Sequence, residues 1–263
     1  MKNIRYYGQP PYSIAVLHGG PGAPGTAAPI AKGLSDLGGT IEPLQSADTV
    51  LGQIEELNDQ LKTYDPPFVL VGHSWGALLA WIYASAYPKM VKHIILVSCP
   101  PFDDEYASEI MNNRMNNLES ADREKAKELI GKMETSVLND DEFNIFGELM
   151  SKSDAYCEVD SLYEESPLQI MPEVYEKVWA QAAAQRSNGE LLNMAEKIEC
   201  KISFIHGKQD PHPYEGIQDV LNEYGVDFEF ILMDRCGHTP WKEKFKAKDF
   251  FNILRILVAE QTN

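Results

Sequence analysis

The fold is decided by residues 69–80, VLVGHSWGALLA. An apolar, β-branched run leads into Gly72-His73-Ser74-Trp75-Gly76, and an alanine-rich apolar run with a helical pattern follows it. The order strand, G-x-S-x-G, helix is typical of a sharp turn that holds a nucleophilic serine above a sheet. Its glycines remove Cβ atoms that would clash in so strained a turn. The stretch therefore predicts a buried strand, a buried helix and a nucleophile between them.

The same region has a second interpretation. Residues 68–87 are mostly apolar and, at about twenty residues, long enough to span a bilayer. They contain Gly72-His73-Ser74 and follow Pro66-Pro67, which a buried strand feeding a buried helix explains better. The N-terminus lacks a signal-peptide pattern, and the four cysteines lack C-x-x-C pairs and metal-ligand spacing. We therefore expect a cytoplasmic protein with free thiols.

Composition limits the class of partner. The 263 residues carry a formal net charge of −17, which disfavours nucleic acid and anionic membranes. The length suits one large α/β domain as well as two small ones. We expect a small-molecule substrate and make no prediction of oligomeric state.

Strand and helix patterns alternate on both sides of the Ser74 turn. Residues 13–17, 40–44, 94–97, 202–206 and 228–232 have strand patterns. Helix patterns cover residues 26–37, 49–64, 214–224 and 245–258. In the second of these, Leu51, Ile54, Leu57 and Leu61 are expected on one buried face. The alternation predicts a doubly wound, mostly parallel α/β sheet.

Residues 101–194 interrupt this alternation. They contain no strong strand pattern and hold 21 acidic and 8 basic residues, so −13 of the net charge of −17 lies here. Charged helical stretches such as residues 122–130 and 172–179 predict helices. We expect residues 1–100 and 195–263 to form the α/β core, and residues 101–194 to cover the carboxyl edge of its sheet as a helical cap.

A glycine-rich loop follows the first predicted strand. That strand ends at His18, and Gly19-Gly20-Pro21-Gly22 comes directly after it. Glycines let backbone N–H groups approach a ligand without obstruction. A strand that ends in such a loop is a place where an oxyanion hole can form. A plain Gly-Pro turn is the alternative.

A serine nucleophile needs a base, and histidine is the best suited because its pKa is near 6.5. His18 and His73 are expected to point away from the nucleophile, and His93 and His206 lie in predicted strands. His212 lies between two prolines in a loop and could be near the site. His238 follows Gly237 in a loop after the last strand and fits the chain order serine, acid, histidine. We predict His238 as the base.

The acid that orients this histidine should follow a strand. Asp210 does so, directly after residues 205–209 (IHGKQ), although an Asp-Pro turn residue is the alternative. Asp103 or Asp104, just past the strand at residues 94–97, is the second candidate. Asp234 is close to His238 in sequence and is more simply a strand-end residue.

Four motifs in this order resemble the α/β-hydrolase superfamily. Within it they are similar to the branch with an HGGPG loop and a GxSWG turn, which includes proline iminopeptidases and related aminoacyl-peptide and ester hydrolases. The motifs are residues 17–22 (LHGGPG), 72–76 (GHSWG), 206–210 (HGKQD) and 237–241 (GHTPW). The resemblance implies Ser74 as nucleophile, His238 as base and Asp210 as the orienting acid.

The resemblance also implies the rest of the catalytic apparatus. Backbone N–H groups of Gly20 and Trp75 would form the oxyanion hole, with Gly19 beside it. The reaction would pass through an acyl-enzyme and would need no metal or organic cofactor. A serine at the turn argues against dehalogenase or epoxide-hydrolase chemistry, which needs a carboxylate nucleophile.

The chain departs from the family pattern in two places. The HGGPG strand begins by about residue 13, so the first of the usual eight strands is expected to be missing, which leaves seven. Many relatives carry an Asp-x-Arg-Gly-x-Gly turn where this chain has residues 42–48 (EPLQSAD). That loop normally borders the site, so the substrate class transfers less well than the triad.

The substrate therefore stays open between several classes. Glu164 or Glu165 could receive a substrate ammonium, as an aminopeptidase requires, although a solvated helical surface is the simpler interpretation. Trp179 could line an acyl pocket or pack within the cap. A serine hydrolase of a small ester, amide or peptide is the main prediction, with an esterase, an aminopeptidase and a carbon–carbon bond hydrolase as its forms. A hydrolase-fold protein that only binds a ligand is the alternative.

Overall fold

Seven strands form a single sheet at the centre of the molecule. The computed structural model describes residues 3–133, 135, 138–159, 168 and 171–260. The strands are β1 (Ile4–Tyr7), β2 (Tyr12–Leu17), β3 (Gly39–Pro43), β4 (Phe68–His73), β5 (Val91–Val97), β6 (Lys201–Gly207) and β7 (Glu229–Met233). Their order is β1-β3-β2-β4-β5-β6-β7, and every neighbouring pair is parallel except β1 and β3. The predicted seven-stranded, mostly parallel sheet is confirmed.

Helices connect the parallel strands. Those of the core are α1 (Ala28–Leu34), α2 (Val50–Leu61), α3 (Trp75–Ala86), α9 (Glu215–Glu223) and α10 (Ala247–Ala259). Between β5 and β6 lie α4 (Asp104–Asn117), α5 (Ser120–Met133), α6 (Asp140–Asp154), α7 (Pro172–Ser187) and α8 (Glu190–Asn193). Residues 101–194, which contain α4 to α8, are called the helical insert below.

Both faces of the sheet are buried. On β2, Ala15 and Leu17 belong to an apolar cluster with residues of α2, α3 and α9, whereas Ile14 and Val16 belong to one with α1 and α10. Successive side chains of a strand point to opposite faces, so helices on both sides are needed to cover them. Each buried aliphatic side chain contributes about 1.5–3 kcal/mol. This two-sided burial explains the continuous apolar runs in the sequence.

Two details differ from the sequence-based expectations. β1 lies where no element was predicted, and it pairs antiparallel with β3 at the edge of the sheet. On α2, Leu51 is 66% exposed instead of buried, and Val50 takes its place. The buried stripe of α2 runs through Val50, Ile54, Leu57 and Leu61, and the helical period of 3.6 turns Leu51 away from it.

The alternative reading of residues 68–87 as a membrane span is wrong, because β4 and α3 divide that stretch at Ser74. Among the described residues, no helix combines the length and apolar character needed to cross a bilayer. The cysteines at positions 99, 157, 200 and 236 are free thiols.

Candidate active site

Ser74 sits in a strained turn between β4 and α3. Its backbone has φ 52° and ψ −116°, and its N–H donates to the Val97 carbonyl oxygen at 3.0 Å. A Cβ added to Gly72 would lie 2.1 Å from the Gly76 carbonyl oxygen, and one added to Gly76 would lie 2.4 Å from that of Leu17. Such backbone strain costs about 1–3 kcal/mol and clusters at functional sites. Gly72 is therefore required by close packing within the turn, and Gly76 by close packing of the turn against the end of β2.

Asp210 and His238 meet although 28 positions separate them. The Asp210 Oδ2 atom lies 2.8 Å from His238 Nδ1. Their loops, which follow β6 and β7, are joined because Gln209 donates its backbone N–H to the Cys236 carbonyl at 2.9 Å. A Cβ on Gly207 would lie 2.3 Å from the carbonyl oxygens of this second loop, so only glycine allows their approach. The structure thus brings together the two residues predicted as acid and base.

Burial and charge set the protonation of this pair. Burial of Asp210 disfavours its charged form, but the nearby histidines outweigh it and hold the pKa of the carboxyl well below its usual range. A carboxylate only accepts hydrogen bonds, so His238 must carry its hydrogen on Nδ1, which leaves a lone pair on Nε2. Burial also lowers the pKa of His238, whereas the Asp210 carboxylate raises it, and the net direction is upward. This tautomer is the one a general base requires.

Two further histidines surround His238. The His212 ring stacks on it with centroids 4.2 Å apart, and His212 Nδ1 lies 2.7 Å from Asp210 Oδ1. The His73 ring is 5.0 Å from the His238 ring, and His73 Nε2 lies 3.0 Å from the His238 carbonyl oxygen. Burial lowers the pKa of His212 to about 4 and that of His73 well below its usual range. Both are therefore neutral neighbours at pH 7.

Of the remaining histidines, His206 also lies at the site, with its Nε2 atom 3.4 Å from Asp210 Oδ2, whereas His18 and His93 lie elsewhere. His18 accepts the Gln45 backbone N–H at 3.3 Å, and burial lowers its pKa to about 4. His93 bonds the Ser203 hydroxyl at 2.9 Å within the sheet.

Three of the site residues could in principle hold a metal ion. Asp210, His212 and His238 each offer one ligand atom, and these atoms lie within 4.8 Å of one another. The two hydrogen bonds from Nδ1 atoms to the carboxylate account for this proximity without an ion. Because both Nδ1 atoms donate hydrogens to the carboxylate, they have no lone pair for a cation, and the three residues form an acid with two imidazole donors.

The glycine-rich loop lies against the Ser74 turn. A Cβ added to Gly19 would lie 3.4 Å from the Ser74 Cβ atom and 2.6 Å from His73 Nδ1. Gly20 has φ 61°, a left-handed conformation that favours glycine. Trp75 opens α3, whose first-turn N–H groups have no partner within the helix. The loop and the helix N-terminus therefore flank the serine.

The indole of Trp75 has a structural contact of its own. Its Nε1–H donates to Gln53 Oε1 on α2 at 2.8 Å, and its ring meets that of Trp179 edge-on at 5.6 Å. Trp179 belongs to α7 of the helical insert and also lies 6.3 Å from the Tyr175 ring. The structure thus places Trp179 next to the residue that follows Ser74. Glu164 and Glu165 lie outside the described residues.

The second candidates for the acid are engaged away from His238. Asp103 caps α4 by accepting the Glu105 N–H at 2.6 Å, and Asp104 pairs with Arg186 at 2.7 Å. Asp234 lies 3.5 Å from the Gln209 side chain. Each has a local structural role.

The helical insert contacts the His238 loop through a buried carboxylate. Glu243 accepts the backbone N–H groups of Gly237 and Tyr156 through Oε1 and that of Cys157 through Oε2, each at 2.8 Å. The Asp154 carbonyl accepts the His238 N–H, also at 2.8 Å. No sequence motif predicts this contact, because a carboxylate that binds backbone N–H groups does not require particular side chains at the positions it contacts. The contact fixes the end of α6 to the loop that carries the histidine.

Two more contacts hold the insert near the site. Met171 donates its N–H to the Gly22 carbonyl at 2.8 Å, which joins the start of α7 to the glycine-rich loop. Arg114 of α4 makes a two-pronged ion pair with Asp154, with distances of 2.7 and 2.8 Å. The first contact attaches the insert to the glycine-rich loop. The second joins α4 to the end of α6 within the insert.

Comparisons with known proteins agree with this fold. Human monoacylglycerol lipase ABHD6 (Homo sapiens) is 26% identical over 207 residues, which are 76% of this chain and 57% of that protein. The chain therefore spans less than two thirds of the length of this curated relative.

Solved structures with low sequence identity share the fold. A carboxylesterase structure from Nitrososphaera gargenis has a TM-score of 0.64 at 18% identity, and covers 98% of this chain and 94% of its own. The monoacylglycerol lipase of Paleococcus ferrophilus has a TM-score of 0.62 at 14% identity and covers 98% of both chains. The family model described as the alpha/beta hydrolase fold matches residues 21–212. The chain belongs to the alpha/beta hydrolase fold family.

Proposed function

We propose that the protein is a serine hydrolase that cleaves a small carboxylic ester through an acyl-enzyme. The observation that carries the proposal is the 2.8 Å contact between Asp210 and His238, in a structure that holds Ser74 in a strained turn. A histidine base held by a buried carboxylate activates a serine hydroxyl. The strained turn positions that hydroxyl.

Each residue has a defined role in the proposed reaction. His238 Nε2 takes the Ser74 proton as Oγ attacks the ester carbonyl carbon, and Asp210 keeps the imidazole in the required tautomer. The backbone N–H groups of Trp75 and Gly20 stabilise the oxyanion, by about 2.7–4 kcal/mol for each donor. His238 then gives its proton to the leaving alcohol. Water, activated by the same histidine, releases the acid and restores Ser74.

The environment of the site favours an ester over an aminoacyl substrate. An aminopeptidase needs a free carboxylate for the substrate ammonium. Among the described residues, the insert carboxylate next to the His238 loop is Asp154, and Arg114 occupies both of its oxygens. Trp179 and Tyr175 present aromatic surface from α7, which suits an apolar acyl group. An ester is also the substrate class in the name of the monoacylglycerol lipase relative.

The helical insert serves in this proposal as a cap over the site. The bonds from Met171 to Gly22 and from His238 to Asp154, which attach the start of α7 and the end of α6 to loops of the candidate site, support this role. The proline iminopeptidase branch predicted from the HGGPG and GxSWG motifs is the second candidate. It needs an ammonium site, for which Glu164 and Glu165 are the predicted residues. A reducing cytoplasm is the compartment we propose, because four free thiols suit it.

A chromogenic substrate panel tests this proposal. The protein is assayed with p-nitrophenyl esters of increasing acyl length and with aminoacyl p-nitroanilides, and Ser74→Ala serves as the matched inactive control. We expect turnover of the esters by the wild type and none above background by the variant. Turnover of the anilides alone would replace the ester hypothesis with the aminopeptidase one. Equal rates in wild type and variant would overturn the serine hydrolase.

A further inference from the structure

Two imidazoles bind the Asp210 carboxylate through their Nδ1 atoms, and a third, that of His206, has its Nε2 atom 3.4 Å from Oδ2. His238 Nδ1 lies 2.8 Å from Oδ2, and His212 Nδ1 lies 2.7 Å from Oδ1. Oδ1 also accepts the His212 backbone N–H at 2.9 Å. The Asp210 side chain is fully buried, and both histidine side chains are 7% exposed. A standard serine–histidine–acid arrangement needs only one of these rings, so the second requires an explanation.

The second ring has the same tautomer as the first. Because the carboxylate can only accept, His212 must carry its hydrogen on Nδ1, as His238 does. The two rings are nearly parallel, with 20° between their planes and 4.2 Å between their centroids. His206 braces this arrangement, since its Nε2 atom lies 3.0 Å from the His212 carbonyl oxygen. His212 is therefore held at its backbone and at its ring.

We propose that His212 is a positioning residue that fixes the Asp210 carboxylate and limits how strongly it draws a proton onto His238. By donating to Oδ1, His212 aims Oδ2 at His238 and disperses part of the negative charge. Hydrogen bonds to the charged form of a carboxyl stabilise that form. Less charge on Oδ2 leaves His238 less basic, so more of it is neutral near pH 7 and able to accept the Ser74 proton. The kinetic part of this inference rests on the proposed function, whereas the pKa part does not.

Charged and titratable groups of every neighbouring element act on His238. Removal of the His212 donor leaves all of them in place. They are Asp210 after β6, His206 within β6, His73 at the end of β4, Asp154 and Arg114 of the insert, and Glu243 after the His238 loop. Because these groups are the same in wild type and variant, a variant at position 212 isolates the effect of the His212 N–H donor on the pKa of His238.

Two variants distinguish the effect of the His212 N–H donor from that of its aromatic ring. His212→Phe keeps an aromatic ring against His238 but has no N–H, and His212→Asn keeps a side-chain N–H but has no ring. The pKa of His238 is measured by NMR titration of histidine labelled in the ring, a readout that does not require activity. We expect His212→Phe to raise the pKa of His238 by about one unit and His212→Asn to leave it near the wild-type value. His212→Ala is the donor-free replacement if the phenylalanine variant does not fold.

The matched control is His93→Asn, because His93 is also buried but bonds Ser203 within the sheet. It should leave the His238 titration unchanged.

Kinetics give a second readout. In His212→Phe, the apparent pKa of the acidic limb of the kcat/KM profile should rise together with the pKa measured by NMR. In the same variant kcat should fall about tenfold or more, with KM unchanged. An unchanged His238 pKa in the donor-free variants, or an equal shift in His212→Asn, would overturn the role of His212. An inactive wild type with the expected NMR shift would instead count against the proposed function alone.

Discussion

The central sheet and the helical insert are built in opposite ways. β4 is fully buried along its length, whereas α4 of the insert contains no buried residue. Among its described residues, the insert has a small apolar cluster of its own, formed by Leu118, Ala126, Leu129 and Leu149. Ser74, Asp210 and His238 all follow strands of the sheet. The proposed catalytic groups thus come from the ends of sheet strands, and in this proposal the insert supplies their surroundings.

The insert is held by both apolar and polar contacts. α7 does reach the core through Val174 and Val178, but the attachments that face the site are hydrogen bonds. They are the Glu243 contacts, the Met171–Gly22 bond and the bond from the His238 N–H to the Asp154 carbonyl. A cap attached in this way can change its lining without disturbing the groups on the sheet. We therefore expect substitutions on the sheet side to abolish catalysis and substitutions on the insert side to weaken it.

The largest of these effects is expected at Asp210. Asp210→Asn keeps the size of the side chain but offers an amide N–H to His238, which favours the wrong tautomer. We expect kcat to fall by about 10⁴-fold, as in other serine hydrolases with this change. Ester turnover is the measurement, with circular dichroism to confirm the fold. Asp234→Asn, in the neighbouring loop, should stay near wild type. A loss smaller than tenfold would mean that the sheet side does not hold the acid.

An intermediate effect is expected where sheet and insert meet. Glu243→Gln replaces one carboxylate oxygen by an amide that cannot accept the N–H groups now bound there. We expect a loss of about 1–3 kcal/mol in the free energy of unfolding, since buried donors lose their acceptor. The measurement is urea denaturation.

The matched control for this junction is Glu158→Gln. Glu158 pairs with Lys242 at 3.3 Å and is partly exposed, so it should cost less than about 1 kcal/mol. Ester turnover should also fall in Glu243→Gln, because the His238 loop and the end of α6 lose their common anchor. Equal stability of the two variants would show that the junction is not held by Glu243.

The smallest effect is expected inside the insert. Trp179→Ala removes the ring that meets Trp75, while Ser74, Asp210 and His238 keep their contacts. We expect KM for long-chain esters to rise by about fivefold to tenfold and kcat for short-chain esters to stay within about twofold, because lost apolar contact is worth about 1–3 kcal/mol. Trp179→Phe should restore part of the preference for long-chain over short-chain esters. A large loss of kcat for every ester would contradict the separation between sheet and insert.

The sequence was sufficient to predict the features that depend on local pattern. The G-x-S-x-G turn, the alternating strands and the chain order of Asp210 and His238 all follow from spacing and residue type. The contacts of His73, His212 and Glu243 could not be predicted, because they form only when three strand ends meet. His212 had a weak signal, since it lies two residues after the predicted acid. Leu51 was wrongly predicted to be buried, because Val50 and Leu51 are adjacent apolar residues and either one fits the helical period of α2.

The central claim, that Ser74 is an activated nucleophile, is tested most directly by covalent labelling. The protein is treated with a fluorophosphonate, and the intact mass and the modified peptide are determined. We expect one label on Ser74 in the wild type, none in Ser74→Ala, and much slower labelling in His238→Ala. An unlabelled wild type, or an equal label in Ser74→Ala, would contradict it.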